Sequence, residues 1–409
     1  MKIKDQIIIS KPFLLALLIL GVSCLSEKEV TTPESVGLSS DTLQLANVKM
    51  QTYIDSSKLA GIYTLVFKNG KKVQNTNYGF AEVKAQIPYN NKSIVRIFSM
   101  TKPITAVALM TLYEEGKFEL DDKVSDFIPE IKDTKVYNPE KEPDHLEPQN
   151  EEMTIRHLLT HTSGISYGWN RNSYVDSLYR ASDVGGWSQP LEVKMKRLAS
   201  MPLNFQPGTK WEYGLSIDMV GYIVEILSGM SLEEFFMTRI FDPLKMEDTG
   251  FYVPEEKNDR FVPVYTNDKE GNLIEMGGEW SKKAFNKPVT LFSGGGGLVS
   301  TMDDYLKFCK MLLNGGELDG ARILEESTVD LIMSDQLPSA VDYKEGTRHG
   351  LAGIVIQKTG TYAWGGMAST NFWIDPANEM IIITFAQKLP GDHSYAYEFR
   401  DVVYRSLIE

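Results

Sequence analysis

The chain of 409 residues carries a net charge of −13, with 42% hydrophobic and 24% charged residues. That length supplies apolar material for one large domain or two ordinary ones. The acidic surplus excludes a nucleic acid or an anionic membrane surface as partner, since either needs a basic face.

In chain order, residues 1–24 read as an address label. Lys2, Lys4 and Lys11 flank the apolar run "PFLLALLILGV" at 12–22. A bilayer span takes about 20 residues, so this run is too short to be one. It ends "GVSC", which resembles a bacterial lipoprotein signal with Cys24 lipidated as the mature N-terminus. Gly21 stands where such signals usually carry Leu, and an ordinary secretory signal cut nearby is the alternative. The expectation is export to the periplasm or cell envelope, with membrane contact only through an N-terminal lipid. The other cysteine, Cys309, sits in the helical pattern "TMDDYLKFCKMLLNGG" and reads as a small core residue. Two cysteines without CxxC exclude a cysteine-based zinc site.

Residues 25–37 read as a polar tether and 38–409 as a single domain. A helix capped by Ser39 or Ser40 comes first, then two β-rich runs around Asn69-Gly70, a strong hairpin signal. "PITAVALMTLYEEG" predicts a buried helix closed by Gly116. From about 120 to 330 the pattern predicts a mostly helical insert, including helices capped at Thr154 and by a Ser231/Glu234 box. The segments 134–152 and 252–290 read as long loops, of a length that is usually functional or mobile. Four late runs, "HGLAGIVIQ", "GTYAWGG", "TNFWIDP" and "EMIIITFAQ", predict strands, and "YAYEFRDVVYRSLI" predicts a last amphipathic helix. The fold class is therefore α+β. A central antiparallel sheet built from both chain termini is flanked by the terminal helices, and the helical insert packs beside it.

The chemistry concentrates at "SMTKP". Proline is tolerated only in a helix's first turn, so Pro103 pins the helix start close to Ser99. Ser99 and Lys102 are then i and i+3 on one face, among the free N–H groups of that turn. A serine hydroxyl attacks well only when a neighbouring base takes its proton and N–H groups hold the developing oxyanion. A lysine must shed its own proton to be that base. The helix dipole disfavours a cation there by only about 0.3–1 kcal/mol. Most of the help must come from desolvation and a second polar partner arriving from elsewhere in the chain. A plain serine cap beside a solvent-facing lysine is the competing reading. Against it, no other serine in the chain has lysine at +3, and the helix that follows is too apolar to expose one.

At this point the sequence resembles a known family. "SMTK" before a buried helix is similar to the Ser-x-x-Lys helix of serine β-lactamases, penicillin-binding DD-peptidases and their esterase relatives. "MTIRHLLTHTSGI", "FQPGTKWEYGLSIDMVGYIVE", "SGGGGLVSTMDDYLKF" and "YAWGGM" extend the resemblance over about residues 33–405. It implies a β-lactamase/DD-peptidase-like fold with Ser99 as nucleophile and Lys102 as base or proton relay. It also implies Tyr213 as the phenol that passes the proton to the leaving group, with the backbone N–H groups of Ser99 and Met367 as oxyanion donors. No metal or organic cofactor is implied.

Two departures set the expected substrate. Leu215 occupies the asparagine position of the Tyr-x-Asn motif, and Trp364 of Trp364-Gly365-Gly366 replaces the lysine of Lys-Thr-Gly. Leu and Trp cannot pair with a substrate amide or carboxylate, and a site loses several kcal/mol when such groups go unpaired. Tyr-x-Leu with Trp-Gly-Gly resembles the carboxylesterases called family VIII, so esters rank above β-lactams. The alternatives are a peptidase or amidase on D-amino-acid or cell-wall peptides, a β-lactamase-type activity, and a non-catalytic binding protein on the same scaffold. Partners are thus a small ester or a short peptide. Ser166 in "GISYG" matches a nucleophile elbow but lacks the strand before it. His157 and His161, four apart, lack the glutamate and third ligand of a metal site. The glycines of "SGGGGL" read as a tight loop near the cleft, and the aromatic segment 167–187 as a pocket wall or a surface loop.

Overall fold

The computed structural model describes residues 31–141 and 143–408. The leader and Cys24 lie outside the described residues. Helix α1 (Ser40–Asp55) starts on Ser39, whose side chain accepts from the Thr42 N–H. Strands β1 (Gly61–Lys68) and β2 (Lys71–Gly79) follow. Asn69 and Gly70 join them, both with positive φ (48° and 78°), the conformation that a two-residue type I′ turn demands. The late strands are β3 (Thr347–His349), β4 (Ile354–Ile356), β5 (Thr361–Gly366), β6 (Thr370–Asp375) and β7 (Met380–Phe385). All seven make one antiparallel sheet in the order β3-β4-β5-β6-β7-β1-β2. The chain ends meet in the middle of it, where Tyr63 pairs with Phe385 and Leu65 with Ile383.

Side chains alternate across the sheet with period two, so each strand feeds two cores. Ile62, Val66, Ile382 and Trp373 face the outer core. There α1 and the last helix (Ser394–Arg405) contribute Leu43, Met50, Tyr395, Phe399 and Val403. Tyr63, Leu65, Phe372, Ile381 and Ile383 face the larger inner core. Each fully buried aliphatic side chain there contributes roughly 1.5–3 kcal/mol.

Helix α2 (Thr101–Glu114) runs through the inner core. Thr101 to Leu112 are all buried, as an apolar-all-round helix must be. Gly116, two residues past its end, takes φ 68° and closes it as read from the sequence. Against α2 packs α3 (Ser216–Ser228). Cys309 is fully buried on a further core helix, Met302–Leu313, where burial pushes its thiol well above the usual range.

The middle of the chain is less helical than its periodicity predicts. The Thr154-capped helix lasts only Ile155–Leu159, because His161 turns left-handed at φ 57°. Ser231 caps Leu232–Phe236, which runs on into a wider π-type turn, Met237–Phe241. Inside the two expected long loops lie short antiparallel pairs, Val136–Tyr137 with Leu146–Glu147 and Tyr265–Asn267 with Leu273–Glu275. Two- and three-residue strands carry too little periodicity to be read beforehand.

Candidate active site

The nucleophile position is built by a sharp change of direction. Val95–Arg96 pairs with Val299–Ser300 as a short strand, then Phe98 adopts φ 43° and the chain enters a 3-10 turn, Phe98–Met100, ahead of α2. A left-handed phenylalanine costs about 1–3 kcal/mol and persists only where its surroundings hold it. Here the Phe98 ring packs against Trp280, 5.9 Å between centroids. Ser99 thus stands just before the helix proper, and Pro103 falls within its first turn.

Ser99 Oγ accepts from Lys102 Nζ at 3.2 Å and from the Tyr213 hydroxyl at 2.6 Å. The Tyr213 hydroxyl, from elsewhere in the chain, thus meets the serine rather than the lysine. Lys102 is fully buried and also donates to Tyr167 Oη at 3.0 Å and to the Gly295 carbonyl at 2.6 Å. Its Nζ lies 4.6 Å from the centre of the Tyr213 ring. Burial, with Tyr213 adding to it, raises the Tyr167 phenol well above its ordinary range, so it stays neutral.

Tyr213 reaches Ser99 because Gly214 follows it. A Cβ at Gly214 would lie 2.0 Å from the Ile165 carbonyl, so only glycine lets the loop seat there. Leu215 is buried and lines the cavity before α3 begins. On the opposite side, Gly366 ends β5 hard against the nucleophile turn. A side chain there would meet the Ile97 carbonyl at 2.2 Å. Trp364, Gly365, Gly366 and Met367 all line the same cavity as Ser99. The structure therefore brings together every site residue expected from the sequence within the described residues.

That cavity, of about 700 Å³, is walled by rings. Trp169 and Trp187 from the segment 167–187, with Trp280 and Tyr343, join Tyr213 and Trp364. Trp169 stacks on Tyr167 at 4.3 Å. Behind Tyr213 sit two buried histidines, His161 at 5.0 Å between ring centroids and His349 beyond it, 5.6 Å from His161. Burial is the main cause that holds both neutral. His161 lies well below its usual range, and His349 is lowered to about 4.

Other sequence candidates resolve as structure. Ser166 Oγ accepts from the Gly168 N–H at 3.0 Å, inside a loop. His157 turns Nδ1 to the Thr154 N–H at 3.2 Å, completing a capping box, while His161 leaves the helix to pack on Tyr213. The glycine loop 293–297 reaches the cleft, as read. Sequence reasoning missed Tyr167, the Gly295 carbonyl and His349. Tyr167 lay inside the very "GISYG" motif weighed for its serine.

A family model described as Beta-lactamase matches residues 47–404. The chain belongs to the β-lactamase family. An uncharacterized protein of Mycobacterium tuberculosis is 32% identical to this family member over 359 residues, covering 82% of this chain and 88% of that one. Esterase EstB of Burkholderia gladioli is 28% identical over 378 residues, 85% of this chain and 91% of the esterase. In fold, the β-lactamase-family chain is similar to EstCE1, a hydrolase with promiscuous acyltransferase activity. The TM-score is 0.75 at 24% identity, over 89% of this chain and 99% of that one. It is a serine hydrolase of carboxylesterase-like type.

Proposed function

We propose that this protein is an exported carboxylesterase that works through an acyl-Ser99 intermediate. One observation carries the reading. Ser99 Oγ is within hydrogen-bond reach of both Lys102 and Tyr213, at a cavity whose recognition positions are Leu215 and Trp364. Lys102 takes the serine proton as Oγ attacks the ester carbonyl. The N–H groups of Ser99 and Met367 hold the oxyanion. Tyr213, in contact with Oγ, gives its proton to the departing alkoxide as the C–O bond breaks and takes up the one that Lys102 had accepted, so both groups are restored. Water then attacks the acyl-serine carbonyl, releasing the acid and restoring the Ser99 hydroxyl. The ring-walled cavity favours an uncharged acyl or alcohol group. The ester-cleaving relative supports the same substrate class.

The test is hydrolysis of p-nitrophenyl butyrate by the wild type beside Ser99→Ala. Turnover by the wild type alone sustains the reading. Silence in both moves the search to D-amino-acid peptides, and equal activity removes Ser99 as nucleophile. Export with tethering rests on the leader and Cys24. Labelled palmitate should enter the wild type and not Cys24→Ala; label in both overturns the tether.

A further inference from the structure

Asp218 lies in the first turn of α3 and is 1% exposed, and it forms no salt bridge among the described residues. Its Oδ1 accepts from the Ser293 hydroxyl at 2.5 Å and from the Gly295 N–H at 3.2 Å. The carbonyl of that same Gly295 accepts from Lys102 Nζ at 2.6 Å. A Cβ on Gly295 would stand 2.5 Å from Asp218 Oδ2, so this glycine is what lets the carboxylate come so near the lysine's anchor. Asp218 also borders the cavity that holds Ser99.

We propose that Asp218 is the positioning residue and counter-charge of Lys102, acting through the backbone of Gly295. This rests on Ser99 being the nucleophile and Lys102 its base. When Oγ gives up its proton, a fully buried amine becomes an ammonium, and in a water-poor site a cation is costly without an anion nearby. Asp218 supplies that anion, while the Gly295 carbonyl fixes the direction of Nζ. Nucleophile, base and a third group orienting the base form a recurring catalytic arrangement. Here the third group reaches the base through a residue of main chain. A carboxylate that merely pinned the glycine loop would need only its hydrogen bonds; one that serves Lys102 needs its charge. Among the described residues, the other titratable groups near this pair are Tyr167 and Tyr213 beside Lys102 and His161 behind Tyr213, while Lys194 lines the same cavity.

The test uses a fluorophosphonate, which reports nucleophile activation whatever the natural substrate. The Ser99 Oγ–P bond forms as P–F breaks, fluoride leaves, and the serine proton passes to Lys102 and then to solvent. Labelling rates across pH, read by intact mass, are compared for wild type, Asp218→Asn, Ser293→Ala and Ser99→Ala. Asparagine keeps the acceptor for Ser293 and Gly295 and loses only the charge. The expected result is an acid limb moved to lower pH, with the plateau rate down about tenfold, the equivalent of one pK unit. Melting temperature should stay near that of the wild type. Ser293→Ala leaves the charge and strips a donor from it, so its limb should move to higher pH. This variant also carries the test if the asparagine variant does not fold. Wild-type rates at every pH in Asp218→Asn, or a uniform slowing with the limb unmoved, overturn the proposal. An unlabelled wild type, or a labelled Ser99→Ala, overturns the nucleophile assignment and this inference with it.

Discussion

The cavity draws on two sets of residues built on different principles. In one, Ser99, Lys102, Tyr213, Tyr167 and Gly295 are linked by hydrogen bonds of 2.6 to 3.2 Å around a fully buried lysine. In the other, Leu215 and Trp364 present hydrocarbon and an indole ring at the positions where the resemblance places asparagine and lysine. A dense polar network is intolerant of change, because each member left unpaired in a low-dielectric site is costly. An apolar wall is tolerant, since its contacts are many and individually weak. The comparison teaches that a serine hydrolase can keep its bond-breaking half fixed while its recognition half is replaced.

If that division holds, substitutions in the polar half should cost most. Ser99→Ala is expected to lower p-nitrophenyl butyrate turnover by on the order of 10⁴-fold or more, measured as kcat against an unchanged melting curve. Tyr213→Phe keeps the ring against His161 and Trp364 and removes only the hydroxyl at 2.6 Å from Oγ. Its kcat should fall roughly 10²- to 10⁴-fold, the usual worth of a proton-transfer group, with KM little changed. A large KM effect would move Tyr213 into the recognition half. Rebuilding the other wall with Leu215→Asn plus Trp364→Lys should cost ester kcat/KM about ten- to a hundredfold while acylation by a β-lactam rises. No change in the ratio of the two substrates would show that those positions do not set specificity.

The smallest effect concerns the histidines behind Tyr213 and is read in stability. His349 stays neutral down to about 4 in the folded protein, against an ordinary value of 6.5. Between those values the unfolded chain binds the extra proton, so stability rises with pH across the window and is fully present above it. Melting temperature should therefore drop as pH falls from 6.5 towards 4. His349→Phe should flatten that slope; an unaltered slope would assign it to other groups.

Much of this was legible beforehand, and the reason differs by element. Ser99, Lys102 and the helix behind them are local, set by a spacing of three, a proline and an apolar run. Strands β1, β6 and β7 showed because each buries both faces and is rich in β-branched or aromatic residues. Tyr213, Trp364 and Met367 came through a motif resemblance and not through any local pattern. What stayed hidden was contact made by main chain or by unremarkable residues. The Gly295 carbonyl has no side chain to read, and Tyr167 and His349 join the site only when distant segments meet. The helical insert was overread because short apolar runs look periodic until a left-handed residue such as His161 stops the turn.

The meeting of the chain ends in the sheet also bears on timing. β1 pairs with β2 locally but gains its second partner only when β7 exists, and Met367 comes to rest near Ser99 only after β5 has closed against the nucleophile turn. Contacts so far apart in sequence are entropically late, which makes such sheets slow to form. Ser99 comes early in the chain, and the site around it stays incomplete until β5 has been delivered. If the chain is exported as proposed, it would therefore cross the membrane as an inert polypeptide and gain its chemistry at its destination.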